Sequence, residues 1–434
     1  MRDEQKKYYI ATFGCQMNAH DSEKMAGILN SNDYKEVSSP KDADVVILNT
    51  CSIREKAEHK FFSELGRIKM LKKKKPGLKI AVAGCIAQQH GEKLFKRASF
   101  VDCVIGPQNI YQIFDTIQHT NRFTLTSGGN EAIAETEMPV FRKTDVSALV
   151  NIMYGCNNFC SYCIVPHTRG REKSRASKSI INEILGLTQK GYKEVTLLGQ
   201  NVNSYMSDLD FPELLAEINK IDGISRIRFV TSHPKDLSEK LIKIMKEAEK
   251  VCEHLHLPLQ SGSTKILGLM NRKYSYEEYA LKVELLRKNI PQIAITTDII
   301  AGFPQETDYD HALTVKALKE ISFDGIFAFK FSPRKGTAAA LMEGRIDMAV
   351  GSERLQQILD LQNEITEIKN KELEGTLQEL LIEGIDEKDS RLYTGRTRTN
   401  KIAAVPKADG IQKGLLLNVL IKKANRHSLD AVLA

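Results

Sequence analysis

The first third of the chain repeats one pattern three times: a short apolar run rich in β-branched residues, a cysteine at its end, and then a helix-like stretch. The runs are KYYIATFGC (7–15), ADVVILNTC (43–51) and LKIAVAGC (78–85). Strands that alternate with helices form parallel sheets, and strands buried on both faces of such a sheet read as continuous apolar runs. The repeat therefore predicts an α/β fold that begins with a Rossmann-like parallel-sheet domain over residues 1–125.

The three cysteines of this repeat, Cys15, Cys51 and Cys85, all lie where a predicted strand ends. Ligands of parallel sheets bind beyond the carboxyl ends of the strands, so these side chains should converge at one edge. A single cysteine at a strand end is usually a small packing residue, but three at equivalent positions indicate a shared site. Cys103 and Cys252 lie in or next to apolar runs without such companions, and we expect them to pack in the core.

A second alternating region follows residues 123–146, which lack clear periodicity and are interpreted as a linker. Six strand-like runs separated by helical segments predict a (β/α)6 partial barrel over residues 145–372, with its functional face at the carboxyl ends of the strands. A long polar helix at 352–374 ends this region. The six runs lie near 149–154, 194–199, 226–232, 254–259, 294–301 and 326–332.

The last segment, residues 373–434, turns to short apolar runs punctuated by glycine, which predicts a small all-β barrel. The four runs are LQELLIEGID, LYTGRTRTN, KIAAVP and LLLNVLIKKAN. From Arg391 to Arg426 the segment carries nine lysines or arginines against one acid, Asp409. A basic small barrel favours nucleic-acid binding, and a solvated basic face on an accessory domain is the alternative.

Charge and cysteine content narrow the class of protein. A net charge of +7 permits a polyanionic partner without requiring one. Eight cysteines in a chain that begins MRDEQKKYYIATFG, which is charged and then strand-like rather than a signal peptide, favour metal ligation or catalysis over disulfides. No apolar run approaches the roughly 20 residues that span a bilayer. We expect a cytoplasmic protein without a membrane partner.

A second group of cysteines lies just after the first strand of the partial barrel, in YGCNNFCSYC (154–163). Structural zinc sites and ordinary iron–sulfur clusters use four protein ligands, but Cys156, Cys160 and Cys163 are three. One interpretation is a Cys3His zinc site completed by His167, although Pro166 restricts how this loop can fold back. The other is an iron–sulfur cluster with one open position, which the enzyme-like α/β context favours.

The segment CNNFCSYC matches the CxxxCxΦC signature of radical S-adenosylmethionine enzymes, with Tyr162 as the aromatic residue Φ. At this point the chain resembles that superfamily. The resemblance implies that Cys156, Cys160 and Cys163 ligate three irons of a [4Fe–4S] cluster, whose fourth iron binds S-adenosyl-L-methionine. It also implies reductive cleavage of this cosubstrate to a 5′-deoxyadenosyl radical.

Over essentially its whole length, the chain resembles the methylthiotransferases of this superfamily, and its C-terminal segment resembles a TRAM domain, which implies RNA binding. The motifs FGCQMNAHDSEKM, LNTCSIREKAEHK, GQNVNSY, TSHPKDL and LHLPLQSGS are similar to the branch that modifies isopentenylated adenosine beside the tRNA anticodon. The ribosomal-protein branch typically reads GCPKN, and the threonylcarbamoyl-adenosine branch GCKVN, where this chain reads GCQMN (14–18). Gln16 and Met17 thus favour the first branch, as does SIREKA after Cys51.

The resemblance implies a transferase that adds a methylthio group to C2 of N(6)-isopentenyladenosine in the anticodon stem-loop of tRNA. It would use two [4Fe–4S] clusters and two molecules of S-adenosyl-L-methionine, one as methyl donor and one as radical source. Cys15, Cys51 and Cys85 would hold the second cluster, which carries the sulfur. An external electron donor is a further implied partner, and a sulfur donor is a candidate one.

Cosubstrate contacts are expected along the strand ends of the partial barrel. Glycine there would permit a close backbone approach. His233, before a proline, can equally be a capped loop residue, and Arg334 can equally be an exposed loop arginine. The candidate cofactor-binding residues are Tyr162, Gln200, Asn201, Ser232, His233, Gln260, Asp298, Gly302 and Arg334.

Two kinds of alternative stay open. Within the same class, the acceptor could be threonylcarbamoyl-adenosine in tRNA or an aspartate of a ribosomal protein. In another class, the chain would be a non-catalytic, zinc-stabilised RNA-binding protein. Iron content separates the classes, because two clusters would bring about eight irons per chain.

Overall fold

The structure, a computed structural model, describes residues 5–52 and 55–434. Residues 1–4, at the start of the predicted first domain, and 53–54, within the motif SIREKA, lie outside the described residues. Along the sequence, the described chain forms a six-stranded sheet, two linked three-stranded sheets and a closed five-stranded barrel.

The N-terminal unit is a parallel sheet in the order β2-β1-β3-β4-β5-β6. Its third strand is buried along its whole length, as expected for an apolar run covered on both faces. The predicted parallel sheet is confirmed. The strands are β1 (Lys7–Thr12), β2 (Lys35–Glu36), β3 (Val45–Thr50), β4 (Lys79–Gly84), β5 (Cys103–Ile105) and β6 (Phe123–Leu125).

The helices of this unit are α1 (Gln16–Asn30), α2 (Glu55–Lys74), α3 (Cys85–His90), α4 (Lys93–Arg97), α5 (Ile113–Gln118) and α6 (Glu131–Glu135). Helix α1 is buried on nearly every side because it lies between this sheet and the first strand of the next unit. The linker predicted over 123–146 is wrong in part, since β6 and α6 lie within it. Elements of three and five residues are too short to show a period in the sequence.

The central unit contains six parallel strands in two sheets, β11-β10-β7 and β12-β13-β14. A parallel bridge between Ile227 and Val251 links the two sheets, with hydrogen bonds from Ile227 N to Lys250 O (2.7 Å) and from Cys252 N to Ile227 O (3.0 Å). The result is the predicted (β/α)6 partial barrel. Its strands are β7 (Ser147–Asn151), β10 (Glu194–Leu198), β11 (Arg226–Phe229), β12 (His254–His256), β13 (Ala294–Ala301) and β14 (Gly325–Lys330).

Two further strands, β8 (Met153–Tyr154) and β9 (Lys173–Ser174), form a short antiparallel pair beside the barrel. Helices cover the outer face of the partial barrel and bury the largest apolar cluster of the described chain. They are α7 (Val165–Thr168), α8 (Ser177–Gln189), α9 (Phe211–Asn219), α10 (Glu239–Glu247), α11 (Thr264–Leu269), α12 (Tyr276–Asn289), α13 (Asp308–Ile321) and α14 (Met348–Lys371).

The C-terminal unit is a closed barrel in the order β15-β16-β17-β19-β18. Four of its strands correspond to the four predicted runs, and the fifth, β19, follows a turn at residues 425–428 that closes the barrel against β17 and β18. The predicted small all-β barrel is confirmed. The strands are β15 (Leu377–Ile385), β16 (Leu392–Thr397), β17 (Ile402–Pro406), β18 (Leu416–Ala424) and β19 (Leu429–Leu433).

The barrel is fastened to the central unit by buried polar contacts. Arg226, at the start of β11, is fully buried and donates hydrogen bonds to Glu379 Oε1 (2.7 Å) and Arg396 O (2.6 Å). Arg398 forms an ion pair with Glu253 (2.7 Å). Part of the positive charge counted in the sequence is therefore neutralised inside the protein.

Other basic side chains of the barrel remain on its surface. Lys422 and Lys423 of β18 are exposed, and neither forms an ion pair with any residue that the structure describes. Lys407 is also exposed and lies 5.4 Å from the ring centre of Tyr393.

The helices within residues 5–52 and 55–434 do not combine the length and the hydropathy of membrane spans. None of them is long and apolar enough to cross a membrane.

Candidate active site

The antiparallel pair β8–β9 closes residues 155–172 into one loop beside the carboxyl end of β7. This loop carries Cys156, Cys160 and Cys163, which we call the compact triplet. Cys163 N donates to Cys160 O (2.9 Å), and Asn158 N donates to Cys156 Sγ (3.5 Å). Hydrogen bonds within the loop thus fix the backbone between Cys160 and Cys163 and hold the Cys156 sulfur.

Unusual backbone angles and external anchors shape the same loop. Gly155 has a φ of +71°, and Phe159 has a φ of +48°, which is costly for a residue with a side chain. Ser161 donates through its backbone nitrogen to Met270 O (3.0 Å) and through its hydroxyl to Leu269 O (2.8 Å). Contacts with α11 and the turn after it therefore hold the loop in a strained conformation.

The compact triplet is largely shielded from solvent. Burial raises the pKa of the Cys163 thiol to about 12 and also raises the pKa of Cys156. The guanidinium of Arg272, from the turn after α11, donates to Cys160 Sγ (3.3 Å). This contact places a positive charge directly at one sulfur of the compact triplet.

The second group, Cys15, Cys51 and Cys85, is called the dispersed triplet. Cys15 is the N-cap residue of α1, Cys51 follows β3, and Cys85 is the first residue of α3. Since β1, β3 and β4 are neighbours in the parallel sheet, the three cysteines lie at one edge, as predicted. A hydrogen bond between the Cys15 and Cys51 side chains lowers the pKa of Cys15 to about 6.

Gly14 shows how tightly this edge is packed. Its φ is +134°, and a Cβ atom added there would overlap the Cβ of Cys51. The Sγ of Cys15 lies 3.2 Å from Asn18 Oδ1, and Asn18 donates in turn to the Thr50 carbonyl oxygen (3.1 Å). The glycine therefore allows the Cys15 backbone to approach Cys51 closely.

A buried ion pair connects the two triplets. Arg169, six residues beyond Cys163 in the chain, reaches the N-terminal unit and pairs with Asp21 of α1 (2.8 Å). Burial disfavours the cation, yet Asp21 and then the Cys85 and Cys15 thiols hold the pKa of Arg169 well above its usual range. The loop that carries the compact triplet thus places a positive charge at the dispersed triplet.

The ends of β10 and β11 present buried polar atoms without partners among the described residues. They are both side-chain polar atoms of Gln200, Asn201 Oδ1, Ser232 Oγ and His233 Nε2. The other His233 ring nitrogen accepts from Lys235 N (3.2 Å), and burial lowers the pKa of His233 to about 2. Unpaired buried polar groups are rare in proteins, and five such atoms lie at these two neighbouring strand ends.

Contacts between the loops hold these side chains in place. His233 N donates to Asn203 Oδ1 (2.8 Å), and Asn203 Nδ2 donates back to His233 O (2.9 Å). Thr231, just before Ser232, has a φ of +70°, which is strained for a β-branched residue. Strain of this kind concentrates at binding and catalytic sites.

The remaining predicted contact residues divide into two sets. Gln260, with a φ of +74°, lies four residues beyond β12, and Asp298, which lies 3.5 Å from His256 Nε2, is within β13. Gly302 and Arg334 are already engaged by protein carboxylates: Gly302 N donates to Glu306 Oε2 (2.8 Å), and Arg334 pairs with Glu58 (3.3 Å). The structure does not join these two to the unpaired group.

The structure bears on the zinc interpretation and on the packing cysteines. His167 is exposed on α7, and among residues 5–52 and 55–434 no three His, Cys, Asp or Glu side chains are placed to hold one metal ion. A cubane cluster distributes its ligands over separate irons, so single-ion geometry does not describe it. Cys103 and Cys252 are buried, and burial raises the pKa of each to about 11, as suits packing residues.

Comparison with known proteins identifies three sequence families in succession. Residues 7–106 match the Uncharacterized protein family UPF0004, residues 150–318 match the Radical SAM superfamily, and residues 371–434 match the TRAM domain. Among solved structures, a radical S-adenosylmethionine methyltransferase, TsrM, from Kitasatospora setae with cobalamin and a [4Fe-4S] cluster bound is similar in fold. Its TM-score is 0.56 at 13% identity, and the match covers 78% of this chain and 77% of that one. Fold and site together define a radical S-adenosylmethionine protein.

Relatives of known name define the family more closely. A tRNA-2-methylthio-N(6)-dimethylallyladenosine synthase from Thermodesulfovibrio yellowstonii is 57% identical over 423 residues, which cover 97% of each chain. Its counterpart from Carboxydothermus hydrogenoformans is 45% identical over 99% of each chain. The chain belongs to the family of tRNA-2-methylthio-N(6)-dimethylallyladenosine synthases.

Sequence reasoning missed the charged residues around the triplets. Asp21, Arg169 and Arg272 belong to no metal-binding motif, and the two arginines reach Cys15, Cys85 and Cys160 from distant parts of the sequence. The one signal was the basic run RGREKSR (169–175), which does not reveal that its first arginine is buried.

Proposed function

We propose that this chain is a radical S-adenosylmethionine methylthiotransferase, which adds a methylthio group to C2 of N(6)-isopentenyladenosine next to the anticodon of tRNA. The observation that carries the proposal is the 57% identity, over 97% of both chains, to a relative named for this reaction. The aromatic C2–H bond has no acidic proton for a side chain to remove, which is why radical chemistry suits it.

The two cysteine triplets fit two [4Fe–4S] clusters. Each triplet offers three thiols at the carboxyl end of a parallel sheet, and a cationic arginine lies at each: Arg272 at Cys160, and Arg169 near Cys85 and Cys15. When bound, the clusters supply the electron for cosubstrate cleavage at the compact triplet and the sulfur attachment point at the dispersed one. An external electron donor and a sulfur donor belong to the same proposal, as does a cytoplasmic location.

The unpaired polar atoms at the ends of β10 and β11 fit S-adenosyl-L-methionine. Gln200 and Ser232 can both donate and accept, and Asn201 Oδ1 accepts. These groups complement the ribose hydroxyls and adenine edge of an adenosyl group. Because Nδ1 of His233 accepts from Lys235 N, the neutral ring carries its proton on Nε2 and can donate one hydrogen bond without adding charge near the sulfonium.

The test is an anaerobic reaction of the iron-loaded chain with isopentenylated tRNA, S-adenosyl-L-methionine and dithionite, followed by nucleoside mass analysis. We expect 2-methylthio-N(6)-isopentenyladenosine with the parent chain and none with Cys160→Ala. Cys103→Ala, which removes a buried packing thiol, is the matched control and should retain the product. A methylthio product on threonylcarbamoyl-adenosine or a ribosomal-protein aspartate instead would overturn the acceptor assignment. A colourless protein with stoichiometric zinc would overturn the enzyme assignment.

The exposed lysines of the barrel provide a separate test of tRNA binding. Each phosphate contact that is lost lowers the steepness of the salt dependence by about one unit. We expect Lys422→Gln with Lys423→Gln to weaken tRNA binding and to reduce the slope by up to about two units. Lys316→Gln with Lys319→Gln on α13 removes the same charge and should leave the slope unchanged; equal effects of both pairs would contradict a site on the barrel.

A further inference from the structure

Arg272 differs from the other buried arginines of the described chain. The exposed fraction of its residue is 4%, and none of the described carboxylates forms an ion pair with it. The other four buried arginines each pair with a carboxylate at 2.7 to 2.9 Å: Arg169 with Asp21, Arg226 with Glu379, Arg228 with Glu194 and Arg354 with Glu306.

Each of the three guanidinium nitrogens of Arg272 nevertheless has a hydrogen-bond acceptor. Nε donates to Tyr274 Oη (2.9 Å), and Nη2 donates to the Pro258 carbonyl oxygen (2.9 Å). Nη1 faces Cys160 Sγ at 3.3 Å and Tyr162 Oη at 3.4 Å. None of these acceptors is a carboxylate, and the Cys160 sulfur is the one among them that would ligate the proposed cluster.

A buried cation without a counter-ion is costly, because desolvation of the charge is not repaid by neutral dipoles. A cluster held by three thiolates carries net negative charge, and it becomes one unit more negative when it is reduced. A positive charge and an N–H···S hydrogen bond at a ligating sulfur therefore stabilise the reduced state more than the oxidised state.

We propose that Arg272 is a positioning residue of the compact triplet, which holds the Cys160 sulfur and Tyr162 in place and makes a cluster bound there easier to reduce. The inference rests on the proposed function, since it assumes a cluster on the compact triplet. It goes beyond that function by assigning the control of the reduction potential to one side chain outside the cysteine motif.

The experiment uses the full chain with Cys15→Ala, Cys51→Ala and Cys85→Ala, so that one cluster alone reports. The fraction of reduced cluster is followed by electron paramagnetic resonance during an anaerobic potentiometric titration. In Arg272→Gln, the reduced-to-oxidised ratio at a fixed potential should fall on the order of tenfold, which corresponds to about 59 mV for a one-electron couple. Arg272→Lys keeps the charge but not the planar fork and should fall between Arg272→Gln and the parent.

Arg226→Gln is the matched control, because it removes a buried arginine at the junction with the C-terminal barrel. Its ratio should stay within about twofold of the parent, since the lost contacts do not touch the cysteines. An unchanged ratio in Arg272→Gln, or an equal fall in Arg226→Gln, would overturn the proposal.

Iron uptake separates the remaining outcomes. If Arg272→Gln takes up no iron, Arg272→Lys decides: iron with a lowered ratio supports the proposal, whereas a parental ratio or no iron overturns it. A parent chain that binds no iron would overturn the proposed function itself. An iron-loaded parent with an unresponsive Arg272→Gln would overturn the role of Arg272 alone.

Discussion

The compact triplet occupies eight consecutive residues of one loop, from Cys156 to Cys163, whereas the dispersed triplet takes one residue from each of three strand ends. In the loop, positive φ angles at Gly155 and Phe159 and anchors from α11 define the geometry. At the sheet edge, the parallel order of β1, β3 and β4 defines it.

The surroundings of the two triplets shift the pKa values of their cysteines in opposite directions. Burial raises the pKa of Cys163 in the loop to about 12, whereas a hydrogen bond with Cys51 lowers the pKa of Cys15 at the sheet edge to about 6. A local loop depends on its own residues and a few anchors, while a site built by topology depends on the whole sheet. The following predictions test this contrast, beginning with the largest expected effect.

Removing one thiol from each triplet should separate their roles. We expect Cys160→Ala and Cys51→Ala each to lower iron from about eight to about four atoms per chain and to abolish methylthio transfer. Cys51→Ala should still release 5′-deoxyadenosine from S-adenosyl-L-methionine, whereas Cys160→Ala should not. Iron analysis and chromatography of the nucleosides measure this; methylthio transfer by Cys51→Ala would remove the dispersed triplet from the reaction.

The buried ion pair that links the triplets should contribute strongly to stability. Asp21→Asn leaves the cation of Arg169 buried without its carboxylate, and we expect a loss of about 3 kcal/mol. Urea unfolding of the iron-free chain measures it. Asp389→Asn, in an exposed pair with Arg391, is the control and should cost much less, because solvent screens an exposed pair. Equal losses of stability in the two variants would contradict a strong stabilising contribution from the buried pair.

A methyl group beside each triplet should damage that triplet selectively. In Gly14→Ala the new Cβ overlaps Cys51, and in Gly155→Ala it overlaps the Arg171 carbonyl oxygen; both residues have positive φ. We expect each variant to lose about 2 kcal/mol and the irons of its own cluster. Gly186→Ala, in open space on α8, should stabilise the chain by up to about 1 kcal/mol. Loss of both clusters in Gly14→Ala would contradict the idea that each triplet keeps its geometry independently of the other.

The smallest expected effect is the change in stability with pH that the buried ring of His233 causes in the central unit. The pKa of His233 is about 2 when folded and near 6.5 when unfolded, so the unfolded state takes up the proton first as pH falls. The stability contribution is present above pH 6.5 and is lost progressively below it. Between pH 7 and pH 6 the parent should lose roughly 0.7 kcal/mol more than His233→Asn.

Urea unfolding of the iron-free chain at the two pH values measures this difference. His167→Asn is the control, because His167 is exposed on α7. A pH response of His233→Asn equal to that of the parent would contradict burial of the neutral ring.

The contrast between the triplets also explains what the sequence could predict. The compact triplet could be predicted from residues 154–163 alone because its geometry is local. The dispersed triplet could be predicted because apolar runs mark the ends of the strands that carry its cysteines. Arg272 was not predictable, since its contact with Cys160 joins residues that are far apart in the chain and depends on where α11 packs. Charge counting also overstated the basic face of the barrel, because Arg398 turns inward to Glu253.

Strand β11 connects two ends of the molecule that have been described separately. Its first residue, Arg226, is bound into the C-terminal barrel, and Ser232 and His233 follow its last residue at the opposite end. A single strand therefore fixes the position of the C-terminal barrel relative to these unpaired polar atoms.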